Sequence, residues 1–352
     1  MKRTIKLIAL VMTCVIIATS FAACAKKRIL VIDDEGKGTV TGDGKTSYET
    51  GNDEPGEDTE VNESVAPGES TEPGRLDSLD GSLESSSQGF IFASCEDGAA
   101  YKLVEYNGSS SEITIPSEYN GKPVIEIGER AFENNIVNTV IISDGVKRIE
   151  EYAFYYCAAL ESVSVPDSVS YIGEAAFAQC HSIRSIAPEG ADYIGTFAFL
   201  NCRNLSVVSL GDQIRYIGDD AFGGTVFYNN GENWTNGVLY VGKYLIDAKP
   251  DMEGEYSVRE GTSLIAANAF FNTGLARVDM PQSLSVICDG AFSNSAIKDI
   301  SFGSVIVGDG AFYRCDVLSD VYYYGSEDIT FVKSSMIGKD NGALLNAEWH
   351  SA

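Results

Sequence analysis

The chain of 352 residues holds two histidines and eight cysteines, the side chains most apt for metal binding, nucleophilic attack or redox chemistry. Four of the cysteines, Cys157, Cys180, Cys202 and Cys315, occupy one position of a recurring unit, and other copies of that unit carry Asn135, Thr225, Thr273 and Ser295 there. A slot that accepts Cys, Asn, Thr and Ser asks for a small, mildly polar group and not for a thiolate. Neighbouring copies stacked about 5 Å apart bring their sulfurs within disulfide reach, but side chains projecting in parallel suit that bond poorly, so oxidation of a pair stays open. Cys288 falls in the slot that holds Gly173 elsewhere and reads as packing. Cys95 lies ahead of the repeats. With no Cys-x-x-Cys and no histidine partner, no metal site is expected. His181 and His350 have no nucleophile and acid in a repeated arrangement, and the one large break in the repeat contains no histidine. Carboxylates are plentiful enough to leave two-carboxylate hydrolysis open, although acids on such a surface usually form a solvated face. Gly223-Gly224 is followed by no Lys-Ser/Thr, so no phosphate loop is present there. The residues therefore point away from an enzyme and imply no cofactor.

One cysteine has a different outlook. Lys2, Arg3 and Lys6 precede an apolar run from Leu7 to Ile17 and then Ala18-Thr19-Ser20-Phe21-Ala22-Ala23-Cys24, the layout of a secretory signal. The run is too short for a comfortable membrane span. Phe21-Ala22-Ala23-Cys24 resembles a bacterial lipobox, in which the cysteine thiol takes a diacylglycerol and a peptidase cuts just before it. Ala22 and Ala23 fit the small positions, and Phe21 departs from the usual Leu. The resemblance implies a signal peptide over 1–23 and a lipid anchor on Cys24, whose two chains hold a protein far more firmly than one. The alternative is an ordinary signal cut near Ala23.

The formal net charge is −26, and residues 33–89, with 16 acids and 3 bases, carry half of it. Such a surface repels nucleic acid, whose phosphates demand a basic face. Gly, Ser, Thr, Pro, Asp and Glu dominate this stretch. It lacks the apolar surface needed to offset the entropy of ordering, so residues 24–89 are expected to form a disordered acidic stalk. The acids around Asp43-Gly44 do not make a calcium loop, because Thr39, Thr41 and Thr50 stand at the expected ligand positions.

Beyond residue 90 the signal becomes periodic. Ala-Phe recurs with Phe132, Phe154, Phe177, Phe199, Phe222, Phe270, Phe292 and Phe312, at spacings of 22, 23, 22, 23, 48, 22 and 20. In the clearest unit Leu160, Val163 and Val165 lead to Pro166, then Val169, Ile172-Gly173, Ala176-Phe177 and Cys180. Val163 and Val165 are two apart, the period of a strand with one buried face, and Pro166 ends that strand. Val169 and Ile172 turn inward on a second short segment, and Ala-Phe closes the unit in a turn or helical turn. Some twenty residues cannot bury such a face alone; stacked, each unit covers its neighbour and their strands pair in parallel. The phenylalanines should form one internal column.

These units resemble the BspA-type leucine-rich repeats of bacterial surface proteins, with a pattern close to Leu-x-x-Ile-x-Ile-Pro-x-x-Val-x-x-Ile-Gly-x-x-Ala-Phe-x-x-Cys, over about residues 100–350. The resemblance implies a mainly β repeat solenoid on a cell surface, acting in adhesion or in binding host or microbial protein or glycan. The periodicity itself speaks only for the scaffold. Residues 90–130 are expected to form an N-terminal cap and the entry to the first repeat, 131–320 the repeats, and 321–352 a C-terminal cap. An inserted hairpin is expected at about 223–255, from Val238–Val241 and Lys243–Ile246 between the turn signals Asn230-Gly231, Asn236-Gly237 and the return to strand at Tyr256. Its Tyr228 and Trp234 are candidate ligand contacts, with packing against the solenoid as the competing role.

Strand alternation places the other candidates on an outward stripe: Ser162, Ser164, Ser185 and Ser209 early, then Arg277, Asp279, Asp299 and Tyr322. A structural envelope protein without a specific ligand is the main rival to a binding module, and a hydrolase the more distant one.

Overall fold

The computed structural model describes residues 83–351 and the backbone of two earlier strands. The chain divides into two units, Met1–Thr71 and Glu72–Ala352. In the first unit Arg28–Ile32 and Gly38–Gly42 pair antiparallel, with Arg28 opposite Gly42 and Ile32 opposite Gly38. Disorder was expected there. The run Ile29–Ile32 is instead apolar, with three β-branched residues, which favours a strand. The signal segment, Cys24 and residues 43–82 lie outside the described residues.

The second unit opens earlier than expected. Leu83–Ser85, assigned from sequence to the stalk, is an edge strand on Phe90–Cys95. Glu84 holds it there, accepting from the Tyr101 hydroxyl at 2.9 Å and from Asn120 at 2.5 Å. Phe90–Cys95 and Ala100–Tyr106 form an antiparallel pair whose Phe90, Phe92 and Leu103 are buried, and the second of these strands passes in parallel to Lys122–Ile127.

From there the chain is a mainly β solenoid, and each turn contributes to two parallel ladders. The first ladder stacks the Ile-Gly strands: Lys122–Ile127, Arg148–Ile149, Tyr171–Ile172, Tyr193–Ile194 and Tyr216–Ile217. After a break it continues through Tyr244–Ala248, Leu264–Ile265, Val286–Ile287 and Ile306–Val307. The second ladder pairs Glu112–Ile115 with Thr139–Ile142 and Ser162–Ser164, then Ser185–Ile186 with Val207–Val208. It resumes over Glu253–Ser257, Gly274–Asp279, Asp299–Phe302, Asp320–Tyr323 and Glu348–Ser351.

The Ala-Phe corner is a turn rather than a helix. Residues just before Ala and two after Phe adopt positive φ, as at Tyr152 and Tyr156, Ala175 and Gln179, and Phe197 and Asn201. Left-handed backbone costs an L-residue roughly 1–2 kcal/mol. A third hydrogen-bond ladder offsets it: the N–H groups of Phe132, Phe154, Phe177, Phe199, Phe270 and Phe292 donate to the next turn's Ala carbonyl, 2.7 Å from Phe154 to Ala176 and 2.8 Å from Phe177 to Ala198. The rings stack within the core at 4.7–5.5 Å from Phe132 to Phe222, and again from Phe270 to Phe312. Tyr106 extends the first column outward, its ring 5.4 Å from Phe132.

The variable polar slot has a physical basis. Cys157, Cys180, Cys202 and Cys315 each point a thiol at the carbonyl of the preceding turn's phenylalanine, at 2.9–3.1 Å. Thr225 and Thr273 satisfy the carbonyl of their own Phe222 and Phe270. The slot supplies a second donor to a buried carbonyl that already accepts the backbone N–H three residues on, as Phe154 O does from Cys157 at 3.1 Å. The six described cysteines are all unpaired thiols. Gly173, Gly195 and Gly218 are required by crowding, since a Cβ on any of them would sit 2.2–2.6 Å from the backbone of the preceding turn.

The interrupted unit conceals a turn. Tyr244–Ala248 pairs antiparallel with Val238–Val241, as the hairpin reading expected, but it also joins the first ladder in register with Leu264–Ile265. The Ala248 N–H donates to Ala269 O at 2.8 Å, the bond that a Phe makes in other turns. Asp247-Ala248 thus stands where its neighbours have Ala-Phe. The phenylalanine column breaks here, and Phe227 edges onto Phe222 while Tyr256 covers Phe270.

At the far end, Asn341 closes the third ladder. Its side chain accepts from Phe312 N–H at 3.0 Å and donates to Gly308 O at 2.9 Å, standing in for a missing next turn. Short helices at Ile329–Ser334 and Gly342–Asn346 precede the returning strand Glu348–Ser351.

Candidate functional site

The outward side chains of the second ladder follow from register. Buried Val140 and Ile186 fix the inner face, so their flanking residues face solvent. Ser162 pairs with Thr139, Ser164 with Ile141, and Ser185 with Val207. Ser162, Ser164, Ser185 and Ser209 are all exposed, and the Ser209 hydroxyl donates to Glu189 at 2.8 Å. Ile141 and Val207 stand among them, 47% and 58% exposed, giving a smooth stripe with two aliphatic patches. This stripe lies on two separate short sheets, with Ser162–Ser164 on one and Ser185 on the other.

The C-terminal half of the same ladder is chemically richer. Its five strands form one sheet with two outward columns in register, Glu255–Arg277–Asp299–Asp320–Glu348 and Ser257–Asp279–Ser301–Tyr322–His350. The Arg277 guanidinium grips Asp279 through Nε and Nη2 at 3.0–3.3 Å, and the Ser301 hydroxyl donates to the same carboxylate at 2.9 Å. Burial alone would raise the Asp279 carboxyl; the bonds from Arg277 and Ser301 outweigh it and hold it below its usual range. The Tyr322 ring stacks on His350 with centroids 5.0 Å apart, and the guanidinium of Arg277 lies 5.7 Å from the Tyr322 ring. His350 Nε2 lies 2.8 Å from Asp320 Oδ1, and the Ser319 hydroxyl donates to Asp320 Oδ2 at 2.6 Å. Arg277, Asp279, Asp299 and Tyr322 are therefore brought together, and Asp320, Glu348 and His350 join them. Sequence reasoning missed Glu348 and His350 as members of this face, because the last strand carries no repeat signature.

Tyr228 and Trp234 are placed elsewhere. The Tyr228 hydroxyl donates to Asp247 at 2.6 Å, and the Trp234 indole N–H donates to the Tyr228 carbonyl at 2.7 Å. Their rings meet edge to face, half-buried against the core. Asp247, buried beside Tyr228 and near Asp219 and Asp220, has its carboxyl pushed up to about 6, mainly by burial.

A second feature went unread in the sequence. Tyr171, Tyr193 and Tyr216 precede successive Ile-Gly pairs and stack face to face on the outside of the first ladder at 4.7–4.8 Å. The Arg148 guanidinium caps the row 3.7 Å above Tyr171 and pairs with Glu150. Thrice-repeated Tyr-Ile-Gly was the available signal: alternation turns a residue beside a buried Ile outward.

This architecture defines a leucine-rich-repeat solenoid. The model of the BspA type leucine rich repeat region matches residues 105–230 and 254–341 in six copies, more than half of the chain, so the chain belongs to that family. Among solved structures, it is similar to a leucine rich repeat protein of T. pallidum: 18% identity over 76% of this chain and 100% of that one, TM-score 0.37. A leucine rich cell surface protein of Faecalibacterium prausnitzii shares 22% identity over 78% of this chain and 96% of that one, TM-score 0.36. A leucine-rich repeat protein from Bacteroides capillosus shares 29% over 36% of this chain and 97% of that one, TM-score 0.33. Comparison with curated proteins gives no match. Among the described residues, no helix is long and apolar enough to cross a membrane.

Proposed function

We propose that this chain is a non-catalytic bacterial surface lipoprotein that binds a protein or glycan ligand, in adhesion to host or microbial partners, through the outer face of its second ladder. One observation carries this reading: five strands align Arg277, Asp279, Asp299, Tyr322 and His350 in register on one sheet face. A spacer without a ligand needs only a solvated surface and no ordered aromatic and charge constellation. Tyr322 offers a ring and Asp299 an outward carboxylate, a pairing that suits sugar hydroxyls or a polar peptide. Membership of the BspA-type family supports a surface location and a binding role.

In this reading Cys24 carries the lipid and the acidic residues before Leu83 lift the solenoid from the membrane. Mass spectrometry of the mature N-terminus tests the anchor, with diacylated Cys24 as the expected result and an unmodified start elsewhere as the refutation. Limited proteolysis tests the stalk: cutting should stop short of Leu83, and early cuts spread through 130–320 would oppose it. A glycan and protein array probed with the full chain tests binding. A hit that Y322A and D299A both retain at full strength would place the contact on another surface.

A further inference from the structure

We propose that Asp320, Glu348 and His350 form a surface site for a divalent transition ion, zinc being the best fit. The two C-terminal strands place Asp320 directly opposite Glu348, and Tyr322 directly opposite His350. One ligand atom from each of Asp320, Glu348 and His350 lies within 4.8 Å of the other two. Zinc bound by imidazole and carboxylate at about 2.0–2.2 Å spaces its ligand atoms by about 3.3 Å, so exposed Glu348 has to swing inward and the His350–Asp320 pair has to open by about 0.5 Å. The other two ligands are already aimed. His350 turns Nε2 to Asp320 Oδ1 at 2.8 Å, and the ion would take the place of the proton shared between them. Tyr322 fixes the plane of the imidazole, and Ser319 fixes the carboxylate through its other oxygen. This support around the ligands separates the trio from an ordinary acidic patch. One imidazole and two carboxylates suit zinc better than calcium, which prefers oxygen alone. Three protein ligands leave a coordination position to solvent. The site stands or falls independently of whether the face takes a macromolecular partner.

The chain has only two histidines, which makes the test sharp. The full chain, purified without a polyhistidine tag, is titrated with Zn2+ by calorimetry and with Co2+ by absorption spectroscopy. One saturable ion per chain is expected, without a cobalt–thiolate charge-transfer band. H350A and D320N should each weaken Zn2+ binding by about tenfold or more, while H181Q and C95S leave it unchanged. In the H181Q protein the remaining imidazole resonances belong to His350, so their shift on adding Zn2+ reports the site without disturbing it. Absence of saturable uptake, uptake insensitive to H350A, a thiolate band, or His350 resonances that do not move would each overturn the assignment.

Discussion

Asp247 stands where other turns place alanine, and its replacement by asparagine gives the most direct reading of what the hidden turn costs. Its carboxyl accepts from the Tyr228 hydroxyl at 2.6 Å and from Ala248 N–H at 2.8 Å. Both bonds favour the charged form, yet burial, with Asp220 and Asp219 nearby, lifts the group from 3.8 to about 6. A folded-state value above the unfolded one means that the native protein holds the proton more tightly, so stability falls as pH rises between these values. The displacement corresponds to ~3 kcal/mol at most, and partial exposure of the side chain brings it nearer ~2 kcal/mol. An asparagine side chain in its place would keep the acceptor for Ala248 and donate its amide to Tyr228, whose hydroxyl can rotate to accept. The difference in unfolding free energy between D247N and the parent, followed by urea denaturation from pH 3.5 to 7.5, should start near zero. It should climb through pH 4–6 and level off with the variant more stable by ~2 kcal/mol. A flat difference, or a variant less stable at pH 7, would show that the carboxylate is welcome there and that burial does not dominate.

Phe177 is fully buried between Phe154 and Phe199, so F177A should destabilise by ~3–5 kcal/mol in chemical denaturation, against less than about 1 kcal/mol for F331A at a position 55% exposed. C180S should stay within about 0.5 kcal/mol of the parent because it keeps the second donor to Phe154 O, whereas C180V should lose ~0.5–1.5 kcal/mol because that carbonyl is left with the Cys157 N–H alone; equal losses would remove the donor role of the slot. G195A places a Cβ 2.6 Å from Glu174 N and should cost ~1–3 kcal/mol, readable as a lower thermal midpoint with unchanged far-ultraviolet circular dichroism.

The scaffold was legible because its physics repeats. A phenylalanine every 22 or 23 residues reports the length of chain that closes one turn, and the small polar slot reports a carbonyl that takes a second donor. Where a turn meets its hydrogen bonds with different side chains, the pattern vanishes from sequence although the backbone survives. Tyr244–Ala248 keeps the ladder to Leu264–Ile265 but lacks both phenylalanine and Ile-Gly, so it reads as a hairpin alone. The stripe from Ser162 to Tyr322 was legible from alternation about buried valines and isoleucines. Glu348 and His350 were not, because their strand reaches the ladder only after two short helices, and tertiary contacts rather than periodicity set its register. The turn at Ala-Phe was read too loosely: positive φ at Tyr152 or Ala175 belongs to residue types that rarely adopt it, and the stacked ladder imposes it.

The same contrast explains where binding chemistry can arise on such a chain. In a solenoid each turn answers chiefly to its neighbours, so an inward residue is constrained by two adjoining copies while an outward one is constrained by neither. The early strands leave that freedom largely unused and present serines. The late strands use it: Arg277 is bound to Asp279, Asp279 to Ser301, Tyr322 to His350 and His350 to Asp320, each link following a strand or crossing to the adjacent one. Side chains tied to one another in this way have already given up much of their rotamer entropy before a partner arrives, which lowers the cost of ordering them on binding. The break near Asp247 lies between the two halves, so the outer face could diverge in the late half without disturbing the packed phenylalanines of the early one.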